Sequence, residues 1–131
     1  MASGLTAELR LPAHPTELGV AREFVERACV DFGLDADAAF DFVLAANEAV
    51  TNAIRHGRAD DDGQILLVTL ADGERLTLVV RDYGVFVMPP LESPPRLEGG
   101  RGMAMMRSLT DDFELLIDAL GTTVRLSKDR R

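Results

Sequence analysis

The sequence predicts an α/β two-layer sandwich, in which a mixed, mainly antiparallel sheet of about five strands carries three helices on one face. Three observations favour this fold class. Segments with an apolar residue at every second position are interspersed with segments in which apolar residues recur every three or four positions. A hairpin signal joins two of the strands. The length of 131 residues is usual for one domain, so residues 1–131 are predicted to form a single domain.

The first strand and the first helix are predicted before residue 34. In residues 5–11, Leu and Ala alternate with Thr, Glu and Arg, which is typical of a strand with one buried face. After two prolines, apolar residues recur at helical spacing from Leu18 to Phe32. Gly33 then provides a stop signal, so we expect a helix to end there.

A second helix is predicted to begin near Asp35 or Asp37 and to run to His56. Carboxylates are favourable at the positive end of a helix, and Gly57 is a typical residue just past a helix end. Its predicted core stripe consists of Phe40, Val43, Leu44, Val50 and Ile54.

The second half of the chain predicts a hairpin, a long loop and three further elements. Two β-rich runs flank Asp72 and Gly73, which indicates antiparallel neighbouring strands. The segment 84–102 holds four of the six prolines and four of the eleven glycines, so we expect a loop there. A loop of that length in a small domain is more often functional than accidental. A short helix and two strands follow over 103–112, 113–118 and 122–128.

Composition narrows the classes of function. Fourteen basic against twenty-two acidic residues give a net charge of −8, which repels nucleic acid phosphates and favours a basic protein partner. No apolar run reaches the roughly 18 residues of a membrane span, and the N-terminal residues lack a signal pattern, which predicts a cytoplasmic protein without membrane contact. The single Cys29 excludes an internal disulfide and a zinc site built from cysteines, and it lies in an apolar stripe that indicates packing.

The second helix also carries a polar sector. At 100° per residue this sector contains Ala45, Glu48, Asn52, Arg55 and His56. Ala45 and Ala49 keep the neighbouring surface low, which would let a ligand approach closely. A solvated helix face is the alternative interpretation. The two cationic residues near the helix end either complement the helix dipole or reach a phosphate or a partner.

Three further short motifs stand at separate places. Asp82 and Gly84 lie in "RDYG" at a strand end, three glycines lie in "GGRGMAMM" at a predicted helix start, and Thr122 lies in "GTTV" at the entry to the last strand. Each motif alone also fits a structural role, as a turn, a helix cap or a strand former. A glycine-rich turn before a helix can, however, present backbone N–H groups to a phosphate.

In this order the motifs resemble the nucleotide-binding domain of the GHKL superfamily, which is named for gyrase, heat-shock chaperone, histidine kinase and mismatch-repair ATPases. More narrowly, the chain is similar to the anti-sigma-factor serine/threonine kinase branch. "NEAVTNAIRHG" resembles the N box, "VVRDYG" the first glycine box and "GGRGMAMMRSLTDDFEL" the second, with "GTTVRLSK" after them. The length leaves no room for sensor or dimerisation helices, which favours the stand-alone branch.

The resemblance implies that the chain binds ATP with Mg²⁺. It makes Asn52 the magnesium ligand, and the amide oxygen is a hard donor suited to that ion. It makes Glu48 the general base that takes the proton from an attacking serine or threonine hydroxyl. These two residues lie one turn apart on the predicted helix.

The same resemblance assigns the remaining contacts with the nucleotide. Asp82 would accept a hydrogen bond from the adenine amino group, and Gly84 would let the base lie close to the backbone. Thr122 would support the adenine pocket. The residues Gly100, Arg101 and Gly102 would close over the phosphates, within or next to a nucleotide lid at about 84–101.

The function that follows from the resemblance is that of an anti-sigma factor in a bacterial stress response. It would sequester a sigma factor and phosphorylate an anti-sigma-factor antagonist, and a homodimer is possible. The alternative is a non-catalytic module that holds its partner with or without nucleotide. Phe86 stands where the wider family often has a second glycine and supports this alternative, whereas Glu48 and Asn52 favour the kinase.

Overall fold

A computed structural model describes residues 4–57, 63–83, 97–119 and 121–130. Five strands and three helices are present in these ranges, as predicted. The strands are β1 (Gly4–Pro12), β2 (Gln64–Asp72), β3 (Arg75–Asp82), β4 (Asp112–Asp118) and β5 (Gly121–Asp129), and the helices are α1 (Leu18–Phe32), α2 (Ala36–Gly57) and α3 (Leu97–Leu109).

The five strands form one sheet in the order β1-β2-β3-β5-β4. All four neighbouring pairs are antiparallel, so the predicted sandwich is confirmed and its pairing is antiparallel throughout the described residues. The predicted hairpin between β2 and β3 is also confirmed. Its two turn residues are Gly73 and Glu74, and Gly73 has φ +63°, a value that costs glycine no steric strain.

Helix α1 has the predicted bounds, and its apolar stripe faces the core. The buried residues of this stripe are Ala21, Val25, Cys29 and Phe32. Gly33 ends the helix at φ +91°, and its N–H donates to the carbonyls of Cys29 and Val30. Burial, and to a lesser degree Glu26, raises the pKa of the Cys29 thiol to about 12. The thiol therefore stays protonated near neutral pH and packs as a small apolar side chain.

The core stripe of α2 differs from the predicted one. Val50 and Ile54 are buried as predicted, but Phe40 is 67% exposed and Leu44 is also exposed. The buried arc is instead rich in alanine and consists of Phe42, Ala45, Ala46, Ala49, Val50, Ala53 and Ile54. Side chains as short as alanine let α2 lie close to β3 and β5, with which it is in contact. The burial of an alanine arc therefore outweighs the greater hydrophobicity of Phe40.

The two faces of the sheet have different chemistry. Along β3, Leu76, Leu78 and Val80 are fully buried beneath the helices, whereas the alternate residues are only partly buried. The face without helices carries cross-strand ion pairs of Arg75 with Asp129, Arg81 with Asp118 and Arg125 with Glu114. The three helices therefore cover one face, as the predicted two-layer arrangement requires.

Helix α3 begins earlier than predicted. The sequence predicts a helix start at Gly102 to Met103, whereas α3 starts at Leu97 and includes Gly99, Gly100 and Gly102. Glycine costs about 1 kcal/mol per residue in a helix relative to alanine, and contact of this segment with α2 offsets part of that cost. The other part of the predicted loop, 84–96, lies outside the described residues.

Candidate functional site

The direction of α2 brings its polar sector toward one end of the sheet. The Nζ of Lys128 lies 3.8 Å from Oδ2 of Asp41, so the first half of α2 lies near the hairpin end of β3 and β5. A helix rises about 1.5 Å per residue, which places Glu48 and Asn52 roughly 10 and 16 Å farther along the helix axis. They therefore lie away from the hairpin end of β3 and β5.

The two predicted site residues of α2, Glu48 and Asn52, are half-buried. Glu48 and Asn52 stand one turn apart on the helix, as the spacing predicts. The expectation about the neighbouring alanines is wrong, because Ala45 and Ala49 are fully buried in the core and do not line an open surface. Arg55 is exposed in the last turn of α2, a position that suits a cation.

Gly102 of α3 lies directly against the side chain of Glu48. A Cβ atom added to Gly102 would overlap Oε2 of Glu48 and would lie 3.2 Å from its Cδ and 3.4 Å from its Cγ. Gly102 itself is buried. The structure therefore brings together two predicted site residues from different motifs, which are 54 positions apart in the sequence.

Asp82 and Thr122 form a second pair, on the neighbouring strands β3 and β5. They are direct partners in the antiparallel register, and both are buried, at 2% and 6% exposure. Among the residues that the structure describes, nothing forms a hydrogen bond with Oγ1 of Thr122. A buried hydroxyl without a partner costs about 1 to 3 kcal/mol, which makes this position suitable for a polar ligand.

Gly121 also belongs to this end of the sheet, although sequence reasoning did not single it out as a site residue. It has φ +155°, and a Cβ there would overlap the carbonyl oxygen of Asp82 and lie 3.0 Å from Cα of Tyr83. Its N–H donates to Oδ1 of Asp118 at 3.0 Å. Only glycine lets β5 begin this close to the end of β3. The available signal was the glycine that opens "GTTV".

Several residues with a predicted role at the nucleotide are described only in part or lie outside the described residues. Gly84, like Phe86, lies outside the described residues. The backbone at Gly100 and Arg101 forms part of α3, and the roles predicted for them stay predictions. The same holds for His56, whose backbone lies in the last turn of α2.

The chemistry of the described groups fits a magnesium nucleotide. Within the described residues no cluster of three or more His, Cys, Asp or Glu side chains could hold a metal ion. Mg²⁺ commonly takes only one or two protein ligands and completes its shell with water and substrate phosphates, which a single amide oxygen such as that of Asn52 suits. The unpartnered hydroxyl of Thr122 beside buried Asp82 suits a base with polar edges.

A large groove in the described part of the chain lies elsewhere. A groove of about 1080 Å³ between α1 and the β1–β2 edge is lined by Leu9, Phe24 and Ala71 among others. It contains none of the predicted site residues. Its lining is mainly apolar, whereas recognition of a charged nucleotide requires convergent polar groups. The candidate site is therefore the end of the sheet that carries Asp82 and Thr122.

A family of known domains matches most of the chain. Residues 11–128 match the family described as Histidine kinase-like ATPase domain. The chain belongs to this family. The match runs from residue 11 to residue 128 and therefore includes Glu48, Asn52, Asp82 and Thr122. The resemblance to the GHKL superfamily that the motifs predicted is confirmed.

Curated relatives of this histidine kinase-like ATPase domain include serine-protein kinases. The chain is 29% identical to the serine-protein kinase RsbW of Bacillus licheniformis over 134 residues, which cover 92% of this chain and 83% of that protein. It is 28% identical to the RsbW of Bacillus pumilus over 136 residues, with the same coverage. This similarity agrees with the anti-sigma-factor kinase branch predicted from the motifs.

Solved structures show the same fold. A structure with the RsbU and RsbW domains of a Mycobacterium tuberculosis protein superposes with a TM-score of 0.75 at 24% identity, covering 95% of this chain and 32% of that one. The histidine kinase domain of a blue-light activated kinase from Erythrobacter litoralis gives a TM-score of 0.59 at 22% identity, covering 91% of this chain and 61% of that one. In the described residues, no helix is both long enough and apolar enough to cross a membrane.

Proposed function

We propose that this histidine kinase-like ATPase domain is an anti-sigma factor with ATP-dependent serine/threonine protein kinase activity. It sequesters a sigma factor and phosphorylates an anti-sigma-factor antagonist. The observation that carries the proposal is the half-buried carboxylate of Glu48, which stands one turn before Asn52 and against Gly102 of α3. Similarity to RsbW kinases over 92% of the chain supports the choice of substrate class.

The nucleotide is proposed to bind where β3 and β5 meet. Asp82 accepts a hydrogen bond from the adenine amino group, and the hydroxyl of Thr122 gains through the nucleotide the partner that it lacks among the described residues. Gly84 allows the base to lie close to the backbone. Losing the Asp82 bond would cost about 1 to 3 kcal/mol, which corresponds to roughly 5- to 150-fold in affinity.

The triphosphate is proposed to lie between α2 and the first turns of α3. Gly100 and Gly102 give it close access to backbone, and Arg101 adds positive charge in a protein of net charge −8. In this proposal residues 1–131 form one ATP-binding domain whose nucleotide lid lies at about 84–101. Asn52 holds Mg²⁺ through its amide oxygen, and the ion supplies charge neutralisation for the phosphates when bound.

The role of Glu48 follows from the reaction. The serine or threonine hydroxyl of the antagonist attacks the γ-phosphorus, the bond from that phosphorus to the bridging oxygen breaks, and ADP leaves. The Glu48 carboxylate accepts the hydroxyl proton as the new bond forms. A positioned general base of this kind contributes about 10² to 10⁴ in rate.

The proposed partners are proteins. The acidic balance favours a basic patch on the sigma factor or on the antagonist and opposes direct contact with DNA. Exchange between the two partners would then switch transcription, as in a stress response. A homodimer is part of the proposal, and analytical ultracentrifugation of the purified chain tests it.

The decisive experiment compares wild type with Glu48→Ala and Asn52→Ala. Each protein is incubated with γ-³²P-labelled ATP, Mg²⁺ and candidate antagonist proteins from the same genome, and phosphoserine or phosphothreonine is located by mass spectrometry. Glu48→Ala is expected to reduce phosphate transfer about 10²- to 10⁴-fold while it retains nucleotide binding. Asn52→Ala is expected to weaken binding of magnesium-ATP as measured by calorimetry.

The same experiment separates the proposal from its alternative. Wild-type protein that binds ATP but labels no candidate antagonist would favour the non-catalytic binding module, for which Phe86 is the support in the sequence. Transfer that survives intact in Glu48→Ala would exclude Glu48 as the base.

A further inference from the structure

The contact between Gly102 and Glu48 joins two helices at the proposed base. Gly102 lies in the second turn of α3 and is buried, while Glu48 reaches it from α2. The space that a Cβ of residue 102 would need is taken up by Oε2 of Glu48, and Cδ and Cγ of the same side chain stand 3.2 and 3.4 Å from that position. The carboxylate thus occupies volume that only glycine leaves free.

We propose that Gly102 is a positioning residue, which fixes the Glu48 carboxylate by leaving the space that the carboxylate fills. The inference rests on the proposed function, in which Glu48 is the general base. This role is additional to the contact with the phosphates that is proposed above for Gly102. Gly102 acts here through Glu48, so its effect belongs to the transfer step and not to the affinity for ATP.

A methyl group at residue 102 displaces the base without unfolding the protein. The atom in overlap is the end of a flexible carboxylate side chain, which moves by rotation while both helices keep their places. Alanine is also a better helix former than glycine. Gly102→Ala is therefore expected to be at least as stable as wild type, which lets its kinetics be interpreted.

The expected effect is on the turnover rate. A displacement of about 1 Å at a reacting group can cost roughly 100-fold in rate. We expect Gly102→Ala to lower kcat about 10- to 100-fold and to leave the KM for ATP within about threefold of wild type.

The test is a double-mutant cycle on four proteins, namely wild type, Gly102→Ala, Glu48→Ala and the double variant. Their kcat and KM are measured with magnesium-ATP and the antagonist protein that the wild type phosphorylates, and their affinity for magnesium-ATP is measured by calorimetry. If Gly102 positions the base, its substitution lowers kcat in the wild-type background and has no further effect once Glu48 is alanine.

Gly19→Ala is the matched control, because it adds the same methyl to helix α1 where nothing lies within 4 Å of the new atom. It is expected to keep wild-type kcat and KM. Circular dichroism and thermal unfolding of all variants verify that each one folds.

Two results would overturn the inference alone. One is an unchanged kcat in Gly102→Ala. The other is an equal fractional loss in both backgrounds together with weaker ATP binding, which would assign Gly102 to nucleotide contact or to helix stability. Absence of phosphate transfer in wild type would instead overturn the proposed function, and the inference with it.

Discussion

The two ends of the sheet are built differently. At the hairpin end, β3 begins with Arg75, whose guanidinium donates to both carboxylate oxygens of Asp129 at 2.7 and 3.2 Å and to Asp112 at 3.4 Å. The hydrogen bond with Asp129 is the main reason that the pKa of Arg75 is raised. Arg130 donates to the carbonyls of Phe32 and Gly73 and lies 4.5 Å over the Phe32 ring. Polar groups there are matched with partners.

At the other end, β3 finishes with buried Asp82, and the buried hydroxyl of its neighbour Thr122 has no partner among the described residues. The start of β5 approaches so closely that Gly121 has no room for a side chain. In the helix layer, Glu48 lies directly against Gly102. The hairpin end therefore stabilises the fold, whereas the far end contains a destabilising buried hydroxyl that a bound ligand would supply with a partner.

The largest change in stability is expected from Gly121→Ala. Its φ of +155° is strained for alanine, and the new methyl would overlap the backbone of Asp82, which cannot rotate away. We expect a loss of about 3 kcal/mol in the free energy of unfolding, measured by urea denaturation. Gly73→Ala at the hairpin end is the control, because its φ is also positive but nothing lies within 4 Å, so about 1 kcal/mol is expected. Equal losses of unfolding free energy in the two variants would show that the close approach of Asp82 to Gly121 does not add to the effect of the positive φ.

Arg130→Ala is expected to have the next largest effect. It removes two hydrogen bonds to carbonyls and the contact with the Phe32 ring, which together contribute about 2 kcal/mol. Binding of magnesium-ATP should not change, because the substitution lies at the hairpin end. Arg125→Ala is the comparison variant, since its exposed ion pair with Glu114 at 3.7 Å contributes about 0.5 kcal/mol or less. A fall in nucleotide affinity in Arg130→Ala would contradict the separation of the two ends.

The smallest effect, and one of opposite sign, is expected from Thr122→Val. Valine keeps the shape of threonine and removes a buried hydroxyl without a partner, so the free protein should be as stable as wild type or up to about 1 kcal/mol more stable. Affinity for magnesium-ATP, measured by calorimetry, should fall roughly 3- to 10-fold.

Thr77→Val tests the contrast on the same strand pair. Oγ1 of Thr77 lies 2.9 Å from Oγ of buried Ser127, so its loss should destabilise the protein by about 1 kcal/mol and leave nucleotide binding unchanged. A destabilised Thr122→Val variant with normal ATP affinity would mean that the Thr122 hydroxyl serves the fold.

Much of this architecture follows from local sequence signals. The stop at Gly33 and the hairpin around Gly73 depend on neighbouring residues, and both agree with the structure. The buried arc of α2 does not follow from local sequence signals. Phe40 is more apolar than the alanines, and an alanine face packs better only because α2 contacts β3 and β5. Local pattern therefore identifies a helix more reliably than it identifies the side that packs.

In the candidate site, too, some features follow from local sequence and others depend on tertiary contacts. Glu48 and Asn52 are recognisable because one helix fixes their spacing. The close approach of Gly121 to Asp82 joins residues 39 positions apart. The lack of a hydrogen-bond partner for Thr122 among the described residues is a property of the folded core. Neither can be derived from the period of one strand, since both depend on which strands become neighbours.

The two ends of helix α3 differ in how well they are stabilised. Its last turn is held by Lys128, whose Nζ donates to the carbonyl of Leu109 at 3.0 Å, and by Thr110, whose hydroxyl donates to Met106. Its first six residues include three glycines, which together lower the intrinsic stability of the helix by about 3 kcal/mol relative to alanine. A ligand that must unwind this end of α3 would therefore bind roughly a hundredfold more tightly than it would if the three glycines were alanines.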